Sequence, residues 1–158
     1  SVGVRGPVSI HTATSINPID STSMQITKSV NTEESDTRGS DTMGLKHRVD
    51  FGLYVFYGSI NTQLAERTSF TIEDSEKIKE ALITLFENDI SSARPDGSME
   101  VNKVYWWEHK TKMGQYSSAK VHRSLEIEQN IEEPKTINDF TITLKELDGL
   151  SVEEIDGQ

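Results

Sequence analysis

The 158-residue chain carries 26 Asp and Glu against 16 Lys and Arg, a net charge of −10, with 34% apolar residues and no cysteine. The missing cysteines exclude disulfides and thiolate metal sites, and no apolar run is long enough to cross a bilayer as a helix, so the chain reads as one soluble, cytoplasmic domain. Ten of the acids lie in residues 124–158 beside only Lys135 and Lys145, whereas residues 1–123 hold sixteen acids and fourteen bases. Total charge argues against a nucleic-acid partner, but most of that charge belongs to the C-terminal segment.

Residues 1–11 alternate weakly through Val2, Val4, Val8 and Ile10, with Gly6-Pro7 in between. That pattern predicts a strand with a kink or bulge, because proline cannot donate to a ladder. A chain that opens directly on a strand reads as cut from something longer. Residues 12–48 form a long polar excursion, with a turn signal at Asn17-Pro18 and Met24, Ile26 and Val30 as one arm of a hairpin. Asn31 to Asp41 would be its tip and Met43 to Val49 the returning arm. A loop of this length in a compact domain is usually functional or disordered. Residues 49–61 alternate and are aromatic, and predict the strongest strand.

The segment 71–89 predicts the main helix. Thr71 and Asp74 resemble a capping box, and Ile72, Ile78, Ala81, Leu82, Leu85 and Phe86 recur at helical spacing. Gln63 to Arg67 reads as a short turn of helix before it. Arg94-Pro95-Asp96-Gly97-Ser98 has the composition of a tight turn, and residues 99–109 read as a strand. Residues 119–127 alternate as a strand would, with Val121, Leu125 and Ile127 inward and Arg123 placed awkwardly on the same side. Phe140–Leu144 is one more strand, followed by an acidic end, 146–158, read as a short helix or frayed. Strands flanking one main helix predict an α+β fold, an antiparallel sheet with a helix on one face.

The four histidines share no ligand spacing, and no phosphate loop or nucleophile elbow occurs. Lys46-His47-Arg48, beside an aromatic strand, is the most promising cluster. Cations fix a phosphate backbone, and aromatic faces hold bases. A solvated basic tripeptide is the bland alternative. Met43 reads as a wedge against a base or as hairpin packing. Of Trp106-Trp107, adjacent on a strand, only one can stack on a given ligand, and at least one belongs to the core. Arg94 could meet a phosphate or cap the preceding helix.

The runs VNTEESDTRGSDTMGLKHRVDFGLYVFYGSIN, LFENDISSARPDGSMEVNKVYWWEHK and GQYSSAKVHRSLEI, in this order, resemble the Cas-seven backbone family of type I CRISPR effector complexes. The closest group is Csh or Csd, subtype I-B, and the resemblance spans about residues 4–127. It implies a partial RRM-like (ferredoxin-like) palm over residues 1–127, with a thumb hairpin at about 12–48, and an acidic tail over 128–158. It implies a guide-RNA (crRNA)-binding subunit of a Cascade complex, stacked in several copies along the spacer RNA to present it to target DNA. Partners would be guide RNA, target DNA through that RNA, other copies and other Cascade subunits, with no membrane, cofactor, metal or catalysis. The candidate RNA-contacting residues are Lys28, Arg38, Met43, Lys46, His47, Arg48, Arg94, Lys120 and His122. The family's first half, including its Asn-Pro-Asn-Gly motif, has no counterpart here, so an open sheet edge awaiting completion is expected. A protein-interaction fragment with an acidic tail for a basic partner, or a metal-dependent nuclease using Asp36 or Asp41, are the alternatives.

Overall fold

The computed structural model of the chain describes residues 3–27 and 43–158. Three antiparallel ladders nest along its first sixty residues. Strand β1 (Val8–Ile10) pairs with β6 (Gly58–Ile60), β2 (Thr14–Ser15) with β5 (Tyr54–Val55), and β3 (Ser21–Thr27) with β4 (Met43–Val49). Thirteen residues separate Val8 from Ser21 on the outgoing arm, but eleven separate Val49 from Ile60 on the return. Two extra residues on one arm break the pairing, as bulges do. This is why the strand read over 49–61 is instead two short strands with Phe51-Gly52-Leu53 before them.

Asn17 closes one of these interruptions. Its side chain accepts the Leu53 N–H at 3.1 Å and donates to the Pro18 carbonyl at 3.0 Å, and the residue is 4% exposed. The Ile16 N–H still reaches the Leu53 carbonyl at 2.8 Å. A Cβ at Gly52 would lie 2.7 Å from the Ile19 Cδ1 and 2.8 Å from the Tyr54 ring, so a larger residue there would displace both side chains.

The chain divides into two compact units. One comprises Ser1–Thr12, Phe56–Glu126 and Thr143–Gln158, the other Ala13–Val55 and Ile127–Ile142. In the first, helix α1 (Thr62–Arg67) precedes the main helix α2 (Ile72–Ile83). The capping box of α2 is formed. The Asp74 N–H donates to the Thr71 hydroxyl at 3.2 Å, and the Asp74 carboxylate accepts the Thr71 N–H at 2.8 Å. The helix stops at Ile83, six residues before the predicted end. There the Gln158 N–H takes the Ile83 carbonyl and Glu87 turns back to Thr84, so the i→i−4 series is broken.

Strand β7 (Lys103–Trp107) follows the predicted turn, in which the Ser98 N–H reaches the Pro95 carbonyl and Gly97 takes a φ of +69°. Its partner is β10 (Val152–Asp156), in the antiparallel register Val152↔Trp107 to Asp156↔Lys103. The acidic end is thus neither helical nor frayed. Its Val152 and Ile155 are half-buried, and the acids among them stay exposed.

Residues 119–127 are not one strand. Ser118–His122 forms helix α3, capped by Ser117, whose hydroxyl accepts the Lys120 N–H, and β8 (Leu125–Gln129) begins three residues later. Ser124, which a strand would turn away from Val121 and Leu125, is 3% exposed and donates to the Val121 carbonyl at 2.7 Å, while Arg123 is exposed. Val121, at 5% exposure, and Leu150, at 6%, are among the buried apolar residues described in this unit. Strand β9 (Phe140–Leu144) pairs with β8, and in the second unit Phe140 packs 6.1 Å from Phe51. The chain is α+β, with antiparallel ladders and one main helix, consistent with an RRM-like arrangement. Among the described residues the strands pair two by two, so edges of each ladder carry unpaired backbone groups.

Candidate nucleic-acid interface

The β3–β4 ribbon is a two-stranded arm on which nearly every residue is exposed. Its register sorts the side chains into two faces, because residues directly opposite point the same way. One face holds Thr22 with Arg48, Met24 with Lys46, and Ile26 with Gly44. The other holds Ser21 with Val49, Ser23 with His47, Gln25 with Leu45, and Thr27 with Met43.

Lys46-His47-Arg48 is therefore not a single cluster. Lys46 and Arg48 share a face, and His47 lies on the opposite one, 2.8 Å from the Ser23 hydroxyl. Met43 is also on the His47 side, where its sulfur accepts from the Gln25 amide at 2.8 Å. The apolar residues beside the cations are Met24 and Ile26, 39% and 49% exposed. Spacing alone could not assign them to the cations, because register depends on the number of residues in the turn.

Arg48 has an internal partner. Its Nε lies 2.8 Å from Asp50, and the Thr22 hydroxyl donates to the same carboxylate. The Thr22 bond, then the guanidinium, hold the Asp50 carboxyl below the usual carboxylate range. Both ion-pair side chains are more than half exposed, so water weakens the pair and a phosphate can compete for Arg48. Lys46 forms no ion pair among the described residues.

The remaining candidates are elsewhere. Lys28 and Arg38 lie outside the described residues, as do the nuclease candidates Asp36 and Asp41. Arg94, Lys120 and His122 belong to the other unit. Arg94 neither caps the helix nor stands free. It grips Asp89 through Nε and one terminal nitrogen of its guanidinium, at 2.8 and 3.0 Å. The Lys120 ammonium sits 4.4 Å from the centre of the Tyr116 ring. His122 stacks on Tyr57 at 4.5 Å, with His11 edge-on at 5.8 Å. Burial, and secondarily His11, hold its imidazole below the ordinary histidine range, against a backbone bond to Gly58 that favours the cation.

Trp106 and Trp107 separate as the alternation of a strand requires. Trp106 meets Lys79 of α2, and Trp107 lies beside Tyr105 on the other face, and both are half-buried. Among the described residues no group of three or more His, Asp or Glu is placed to hold a metal ion. No helix described is long and apolar enough to cross a membrane.

A search of curated proteins finds no match. The family model described as CRISPR-associated protein Cas7 matches residues 2–145, most of the chain and all of the arm. With an exposed two-faced arm on an α+β scaffold, this chain belongs to the Cas7 family, the backbone subunits of CRISPR effector complexes.

Proposed function

We propose that the chain is a guide-RNA-binding backbone subunit of a type I Cascade complex, in the Csh or Csd group of subtype I-B. In this reading the face of the arm carrying Lys46, Arg48, Met24 and Ile26 clamps the RNA. The two cations hold phosphates, and the methionine and isoleucine lie against bases. The observation that carries it is the segregation of both cations, with two exposed apolar side chains, onto one face of an exposed ribbon. Met43, Leu45 and Val49, 66%, 68% and 48% exposed on the opposite face, suit a protein contact instead, with the next copy along the RNA. Lys28 and Arg38, which lie outside the described residues, and His47, on the opposite face of the ribbon, are further candidate RNA contacts, and Arg94, Lys120 and His122 serve a second stretch of the guide. Target DNA is met through the RNA. The subunit is cytoplasmic, acts with other Cascade subunits, and catalyses nothing.

The test is RNA retention. The chain is titrated with an unstructured RNA oligonucleotide at several salt concentrations. A linear fall of log affinity with log salt, reduced in the double variant Lys46→Ala/Arg48→Ala, supports the reading. Equal affinity and slope in that variant would remove this face from the RNA site. Metal-dependent cleavage of the oligonucleotide would replace a scaffold with a nuclease.

A further inference from the structure

Each face of the β7–β10 ladder sets aromatic rings beside carboxylates. On the α2 side Trp106 stands across from Glu153. The Lys79 ammonium fills this arrangement, 5.4 Å from the indole centre, 2.9 Å from Glu153 and 3.0 Å from Glu76. Its side chain is only 12% exposed, so the ladder already holds one cation between a ring and two acids.

The other face repeats the pattern. Tyr105 stands across from Glu154, and Trp107 follows on the same side, the two rings 6.2 Å apart and 26° from parallel. Glu154 and Asp156 also lie on this face, both well exposed. Among the described residues Lys103 is the cation paired there, and its ammonium stands 3.6 and 3.5 Å from the two carboxylates. One ammonium shared at those distances leaves a negative charge unmatched beside two half-buried rings.

The geometry points to this face as a docking site for an arginine of a partner protein, its guanidinium stacked on Tyr105 and Trp107 and bonded to Glu154. Arginine fits better than lysine, because a planar fork can stack on rings and bond a carboxylate together. The paired acids repel phosphate, so an RNA strand is the wrong occupant. The site is separate from the arm and does not depend on how the arm is used.

The test is an NMR titration of the isotope-labelled full chain with the peptide acetyl-Gly-Arg-Gly-Arg-Gly-amide. The control peptide carries citrulline, a neutral isostere, in place of arginine. The expected result is a saturable shift of the Trp107 indole N–H, a still Trp106, and no response to the citrulline peptide. Glu154→Gln weakens binding about tenfold, the size of one charged hydrogen bond. Lys103→Ala strengthens it, by removing the internal competitor. An unresponsive Trp107, equal shifts from the citrulline peptide, or unchanged affinity in Glu154→Gln would overturn the proposal. So would a Trp107 that answers to an RNA oligonucleotide in preference to the arginine peptide.

Discussion

Met24 stands directly across the β3–β4 ladder from Lys46, so a flexible apolar side chain and an ammonium share one patch of exposed ribbon. The two bind by different physics and are separable by salt. Lys46→Ala with Arg48→Ala is expected to lower the salt slope by roughly 0.7 for each single-strand phosphate that is no longer neutralised. Met24→Ala is expected to leave the slope alone and weaken RNA binding about fivefold, the equivalent of about 1 kcal/mol of apolar burial. Leu45→Ser, on the opposite face, leaves the salt slope unchanged. Filter binding across a salt series reads all three.

Asp50 restrains Arg48, and its removal is expected to improve RNA binding. In Asp50→Asn the guanidinium gives up its charged partner and is free for phosphate, so affinity rises and the salt slope steepens. Lower affinity in this variant would mean that Asp50 positions Arg48 for RNA. The pH dependence follows from the depressed carboxyl. The folded protein favours the charged form, so its contribution is complete above the ordinary carboxylate value, about 3.9, and is lost as pH falls through the lower folded one. Carbonyl-carbon NMR of Asp50 against pH measures this directly.

His122 titrates in the opposite sense to a paired histidine. Its neutral form is favoured in the folded state, chiefly by burial against Tyr57. Stability is therefore greatest above the ordinary histidine value, about 6.5, and falls as pH drops through it and the unfolded chain takes up the extra proton. The His122 ring signals should titrate below those of an exposed histidine. His122→Phe should flatten the dependence of melting temperature on pH through that range.

Thr71→Ala removes one half of a closed capping box. The expected cost is about 1 kcal/mol, seen as a melting temperature lower by about 2–4 °C. Thr71→Ser, which keeps the hydroxyl, should restore most of it. Circular dichroism melts of the three proteins decide the matter.

Much of the fold was legible because it rests on local chemistry. The Thr71–Asp74 box, the Pro95–Gly97 turn, the α1 turn and the Phe140–Leu144 strand are each set by a few neighbouring residues. What escaped depends on distant ones. Helix α2 ends where the distant Gln158 takes its carbonyl. The acidic end becomes a strand because β7 offers it a ladder. Helix α3 escapes for a different reason. Val121, Leu125 and Ile127 keep an even spacing only by accident across a helix–strand junction, and the informative signal is Ser117 as a cap.

The candidate site divides in the same way. Chemistry singles out Lys46, His47 and Arg48, but only register places His47 with Met43 and the two cations with Met24. Neighbours in sequence on a strand are opposites in space.

The Asn17–Leu53 junction has an implication for how such arms diversify. A single side chain there seals the ribbon's stem, and among the described residues little beyond it is buried. Everything distal can then lengthen, shorten or be grafted from a relative without disturbing the scaffold, much as a tool head is changed on a fixed handle. Grafts cut outside Asn17 and Leu53 should keep the donor's grip, and those cut inside should take the host's geometry.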